Sequence, residues 1–167
     1  HPGYSGTIMT ATYQMQRDLG WGYFEKLAKQ NIMQVQSSAD PPKRLALGVG
    51  AVMADGNEYN IFQLMDKKGP VAPVYATEGS PLIVGPTGMF KAAPNPNAAK
   101  LFCSYSFSAE CQQLIIDIGG LRSMHPGTKE KPGRTPFRDI KTMKDDAVAV
   151  EKMSDEIKAK YQKIFKV

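Results

Sequence analysis

Apolar residues recur along this chain in two different spacings, and glycines and prolines separate the segments that carry them. In the longer segments the apolar residues stand three to four positions apart, as in an amphipathic helix. In the shorter segments they form continuous or alternating runs, which are typical of strands. Segments of the two kinds follow one another along the chain. This alternation predicts an α/β fold with a mostly parallel sheet.

Helical spacing and end signals define the predicted helices. The first follows Ser5-Gly6-Thr7 and ends at Gly20, because Ser or Thr is a common N-cap and glycine commonly follows the last helical turn. The same reasoning predicts further helices at residues 21–30, 43–47, 58–68, 95–105, 108–119 and 145–166.

The short apolar runs define the predicted strands. They lie at residues 32–36, 51–54 and 71–76, and each is followed by turn-forming or polar residues. Residues 81–90 are predicted to form an extended segment interrupted by Gly and Pro, and residues 122–140 a loop.

Polar residues lie at three junctions where a helix would follow a strand. A helix N-terminus offers unpaired backbone N–H groups and a partial positive charge, and nearby hydroxyls can donate to oxygen. Taken singly, each junction also fits an ordinary helix cap. In a parallel sheet, however, the three would converge on one edge, where open α/β folds bind ligands. The predicted ligand-binding residues are Tyr4, Ser5, Gly6, Thr7, Ser37, Ser38, Asn57 and Tyr59.

The charge distribution argues against nucleic acid as a partner. The net charge is +5, and the basic excess lies in residues 122–167. There the basic residues are interspersed with acidic ones along a predicted helix, which is typical of a solvated helix surface. The sequence also lacks an apolar run of the roughly 18 residues that a membrane span needs.

No catalytic or metal-binding motif is recognisable. The chain lacks GxSxG, P-loop, HExxH and GxGxxG patterns, and His1 and His125 stand apart from any nucleophile. Cys103 and Cys111 have neither CxxC spacing nor a paired histidine, so a zinc site is not expected. They are either two buried thiols or, in an oxidising compartment, one disulfide. We therefore expect no enzymatic activity, no cofactor and no metal.

Several motifs resemble those of type II periplasmic solute-binding proteins of ABC importers, near the ferric-iron-binding subgroup. The second lobe of that family begins with Pro-x-x-Ser-Gly-Thr opening a helix, here Pro2 to Thr7. A strand ending in polar residues and an Asn/Tyr-bearing helix start follow, here Val35-Gln36-Ser37-Ser38 and Asn57-Glu58-Tyr59. The family's "NP-x-A-A-x-x-F" and "S-x-E-x-Q" helices match Asn95–Phe102 and Ser108–Gln112.

The resemblance implies a three-layer αβα type II lobe and a chain that is the C-terminal half of a longer protein. Residues 1–80 would belong to the second lobe, residues 81–121 would cross into the first, and residues 122–167 would return to the second. It further implies a periplasmic location and three partners. These are an ABC permease, the protein's own N-terminal lobe, and a small solute captured between the lobes.

The polar helix start at Ser5-Gly6-Thr7 favours a small anion or organic acid as that solute over a neutral sugar. One alternative is a ferric-iron or other metal-ion-binding protein that uses Tyr59, with Tyr4 as a second candidate ligand. The ferric-binding members carry two adjacent tyrosines at this position, whereas Tyr59 is followed here by Asn60. The other alternative is a structural fragment without activity.

Overall fold

The structure is a computed structural model that describes residues 1–35 and 40–167. Its helices are α1 (Gly6–Leu19), α2 (Trp21–Ala28), α3 (Asp40–Ala46), α4 (Glu58–Asp66), α5 (Pro96–Ser106), α6 (Ala109–Asp117) and α7 (Ala147–Phe165), with a 3-10 turn at Phe137–Asp139. Among the described helices, none combines the length and the apolar character that crossing a bilayer requires.

The prediction of a three-layer αβα fold with a parallel sheet is wrong. Over the described residues the chain is helical, and its β pairing is a single parallel bridge between Ser80 and Thr142. The apolar runs taken for strands are short, and those at residues 51–54 and 71–76 are flanked or broken by glycine or proline, which weakens a ladder of backbone hydrogen bonds. Two of their residues show the outcome. Val52 is 85% exposed and Val74 is 91% exposed, so neither run is a buried strand.

The predicted helices are confirmed, with ends displaced by a few residues. Ser5 caps α1, its hydroxyl accepting from the N–H of Ile8 at 3.4 Å, and Gly20 follows its last turn with a φ of 76°. Ser108 caps α6 in the same way, accepting from the N–H of Cys111 at 3.2 Å. Cys103 and Cys111 are free thiols, each partly exposed.

The described residues divide into two compact units. Unit 1 comprises His1–Asp55, Val74–Val84 and Arg138–Val167, and unit 2 comprises Gly56–Pro73 and Gly85–Phe137. This division cuts the chain at other residues than the lobe boundaries that the resemblance implies, and assignment of the units to lobes stays a prediction.

Unit 1 is held together by packing among α1, α2 and α7. Its core contains Met9, Tyr13 and Ile157, and Ile157 is fully buried. Aromatic rings extend this core along α7, where the Tyr161 and Phe165 centroids lie 4.4 Å apart. Burial of apolar surface at about 25 cal/mol per Å² is therefore the main force that assembles the unit.

Unit 2 has a smaller apolar core. Ile61 and Phe62 of α4 and Ile116 of α6 are buried, whereas no residue of α5 is. The backbone of α4 also approaches Gly120 closely: a Cβ at Gly120 would lie 3.0 Å from the carbonyl oxygen of Tyr59. Because Gly120 has a φ of 71° as well, glycine suits this position on both counts.

Candidate functional site

The N-terminal turn of α1 carries four of the predicted ligand-binding residues. Ser5 is occupied as the cap, and the carbonyl of Ser5 accepts from the N–H of Met9 at 2.9 Å. Gly6 is exposed, and a Cβ placed on it would meet no atom within 4 Å. The first N–H groups of a helix have no partner within the helix itself. Gly6 and Thr7 can therefore donate to an oxygen ligand that approaches this end.

The surroundings of this turn suit an anion. The first turn of α1 contains no acidic residue, so no carboxylate of α1 competes for the positive end of the helix. Tyr4 is 69% exposed, and its ring lies 5.1 Å from that of His1. Tyr4 thus presents an accessible phenol beside the helix end, while Thr7 is half-buried.

Asn57 and Tyr59 lie at the start of the other predicted site helix, α4, in unit 2. Asn57 is the N-cap residue by backbone geometry, without a side-chain cap hydrogen bond among the described residues. Both residues are partly exposed. The structure therefore brings Tyr4 to Thr7 together in unit 1 and Asn57 with Tyr59 in unit 2, while Ser37 and Ser38 lie outside the described residues.

Between Asn57 and Tyr59, Glu58 enters an ion network that the sequence did not reveal. Its carboxylate accepts from Nη2 of Arg122 at 2.7 Å and from Nη2 of Arg134 at 2.7 Å. Glu130 accepts from Nη1 of Arg122 at 2.8 Å. The two guanidinium groups thus meet two carboxylates, so the network balances its own charge.

Arg134 is the centre of this network, with a side chain that is 0% exposed. It also donates to the carbonyls of Gly120 at 2.8 Å and Leu121 at 3.0 Å, and its guanidinium lies 4.4 Å from the ring centroid of Phe62. These partners occupy N–H donors of Arg134 and one face of its guanidinium group. The network is therefore suited to ordering the loop after α6 and not to capturing an anion.

A signal for the network exists in the sequence. The loop of residues 121–136 is long and has no regular structure, so its buried carbonyls need side-chain donors. Arginine supplies several donors in a fixed fork, and the loop contains two arginines, Arg122 and Arg134. Their partner Glu58, more than sixty residues away, cannot be identified from spacing.

Unit 2 also has an open cavity of about 400 Å³, bordered by Phe62, Met65, Asp66, Lys131, Pro132 and Gly133. Lys131 and Asp66 form an ion pair at this cavity. Among the described residues, no three His, Cys, Asp or Glu side chains converge as metal ligands.

An ion pair of unit 1 lies at the other end of α1. Arg17 binds Asp18 through two hydrogen bonds, Nε to Oδ1 at 2.6 Å and Nη2 to Oδ2 at 2.9 Å. The hydrogen bond from Arg17 holds the pKa of Asp18 below its ordinary value. This pair is far along the helix from Ser5 and does not contribute to the candidate site.

The candidate site is therefore the N-terminal turn of α1, at Tyr4, Ser5, Gly6 and Thr7. Comparison with protein-family models, with curated proteins and with solved structures finds no match to this chain.

Proposed function

We propose that this chain is part of the solute-binding component of an ABC importer and that it captures a small anion or organic acid for delivery to the permease. The observation that carries the proposal is the accessible N-terminus of α1. Backbone N–H groups at Gly6 and Thr7, with no acidic side chain in the same turn, offer the chemistry that a carboxylate or phosphate requires.

The order of the helices gives the proposal further support. The motifs that resemble the solute-binding family place helix starts at Ser5, Asn57, Asn95 and Ser108, and these four residues are the N-caps of α1, α4, α5 and α6. The described residues contain no sheet of the kind that family has. The proposal therefore draws on the motifs and on the α1 terminus, and not on the fold.

A charge placed in the first turn of α1 tests the proposal. The substitution Thr7→Glu puts a carboxylate at the helix end, where it repels an anion but stabilises the helix by about 0.3–1 kcal/mol. We expect calorimetry with phosphate, succinate and citrate to show binding of at least one of them to the unaltered protein. Thr7→Glu should weaken that binding at least about tenfold, or roughly 1.4 kcal/mol.

Thr10→Glu is the matched control, because it adds the same charge to the same helix one turn later. It should leave the affinity within about twofold, since the effect of the helix end falls off within the first turn. An equal loss in both variants would assign the effect to overall charge. Binding of glucose but of none of the anions would overturn the proposal.

A further inference from the structure

Gln14 of α1 is a fully buried polar residue whose side chain pairs with both backbone polar groups of Leu82. It is 0% exposed. Its Nε2 donates to the carbonyl of Leu82 at 2.8 Å, and its Oε1 accepts from the N–H of Leu82 at 2.9 Å. The side-chain amide thus pairs with one residue as a neighbouring strand would.

The segment that Gln14 holds is also paired with a second stretch of unit 1. The N–H of Ser80 donates to the carbonyl of Lys141 at 2.8 Å, and the N–H of Met143 donates to the carbonyl of Ser80 at 2.9 Å. Arg17, one turn after Gln14, donates from Nη1 to the carbonyl of Lys144 at 2.9 Å. Residues 80–82 and 141–144 are therefore joined to each other, and α1 holds both.

These two stretches lie next to two of the four points at which the chain passes between the units. The chain passes from unit 1 to unit 2 after Val84 and returns at Arg138. Leu82 is two residues before the first of these two crossings, and Lys141 is three residues after the second. Both connections thus leave unit 1 from one anchored place on α1.

We propose that Gln14 is a positioning residue that fixes the unit 1 ends of these two connections. With Leu82 held, α1 and both paired stretches move as one body. The two connections are thereby anchored at their unit 1 ends, beside Leu82 and Lys141. The proposal does not depend on the proposed function.

The substitution Gln14→Glu tests this pairing by making it depend on pH. A neutral carboxyl group has one donor and one acceptor and can replace the amide, whereas a carboxylate has no donor and faces the carbonyl of Leu82. Asp145 lies beside the Gln14 side chain, with its Oδ1 3.5 Å from Nε2 of Gln14. Arg17, the positively charged residue of α1, lies one turn further along the helix and donates to the carbonyl of Lys144. The ordinary pKa of Glu is about 4.3, and burial raises it.

We expect the hydrogen-exchange protection of the Leu82 N–H, corrected for its intrinsic pH dependence, to be retained in Gln14→Glu at about pH 4, below that pKa. At about pH 8 the protection should fall at least about tenfold, which corresponds to roughly 1.4 kcal/mol. The amides of α1 should stay protected at both pH values. Gln16→Glu adds the same charge to the same helix, and we expect it to leave Leu82 protected throughout.

Spin labels at Lys152 of α7 and at Val84, in a background without Cys103 and Cys111, test the positioning role. Both residues are exposed, and both belong to unit 1. We expect Gln14→Glu to broaden the distribution of label distances at high pH and to restore the narrower one at low pH. A width that does not change while Leu82 loses its protection would overturn the proposal. If the variant fails to fold, the unaltered protein decides, because a Leu82 N–H that exchanges without protection would equally overturn it.

Discussion

The phenol of Tyr161 is a buried polar group whose ionisation is linked to folding. The residue is 9% exposed in the core of unit 1. Burial raises its pKa to about 12, and the negative charge of Asp55 adds to the shift. Because the folded state holds this proton more tightly than the unfolded state, Tyr161 contributes its full stability below the ordinary tyrosine pKa of about 10.

We expect that contribution to disappear as the pH rises from about 10 to about 12, with a total loss of roughly 3 kcal/mol at most. The measurement is urea denaturation, followed by the fluorescence of Trp21, at several alkaline pH values. Tyr161→Phe should flatten the decline in this window. Tyr4→Phe is the control and should keep the decline, because Tyr161 is still present. Parallel curves for the unaltered protein and Tyr161→Phe would contradict the assignment.

Arg134 shows how a single buried side chain can organise a loop. Replacing it with Met removes the hydrogen bonds to Gly120 and Leu121 and leaves Glu58 with one guanidinium partner fewer. Breaking a buried ion pair costs about 3–5 kcal/mol. Since Glu58 is 24% exposed, we expect about 3 kcal/mol, measured by hydrogen exchange of the α4 and α6 amides.

Arg134→Lys keeps the positive charge but loses the planar array of guanidinium N–H donors. We therefore expect it to retain only part of the stability that Arg134→Met loses. Arg138→Met is the control, because Arg138 is 87% exposed and lies 3.7 Å from Asp139. Its effect should stay within about 0.5 kcal/mol. An Arg134→Met protein with unchanged protection in α4 would mean that the network does not hold unit 2 together.

At the scale of elements, α7 is one of the three helices that form the core of unit 1. It packs against both α1 and α2, and Ile157 is the fully buried residue at its centre. Ile157→Ala removes apolar contacts and leaves a cavity, which costs about 2–5 kcal/mol in protein cores. We expect a loss of about 3 kcal/mol in chemical denaturation followed by Trp21 fluorescence.

Val148→Ala, on the same helix, is the matched control, since Val148 is 62% exposed. Its effect should be below about 0.5 kcal/mol. If the two substitutions cost the same, α7 would not be packed as described.

Helices and strands differed in how well the sequence predicted them, for a physical reason. A helix makes its backbone hydrogen bonds locally, so spacing, caps such as Ser5 and Ser108, and terminators such as Gly20 determine where it forms. A strand needs a partner elsewhere in the chain, and an apolar run carries no information about that partner. Val52 and Val74 lie in such runs and are exposed.

At the scale of the whole molecule, the sequence again predicted the local features of the candidate site but not the contacts between distant parts of the chain. The sequence indicated a helix N-terminus at Ser5 and another at Asn57, and the structure has both. Their convergence on one edge was inferred from a parallel sheet, and the described residues contain no such sheet. The contacts of Glu58 with Arg134 and of Gln14 with Leu82 join residues more than sixty positions apart, so only the folded chain reveals them.

The central claim is that a small anion binds at the N-terminal turn of α1, and the most direct test is an NMR titration. Phosphate, succinate and citrate are added in turn to the ¹⁵N-labelled protein, and the amide shifts are followed. We expect saturable changes for at least one of these anions, largest at the N–H groups of Gly6, Thr7 and Ile8, and none with glucose. Saturable changes centred elsewhere, or none with any of the anions, would contradict it.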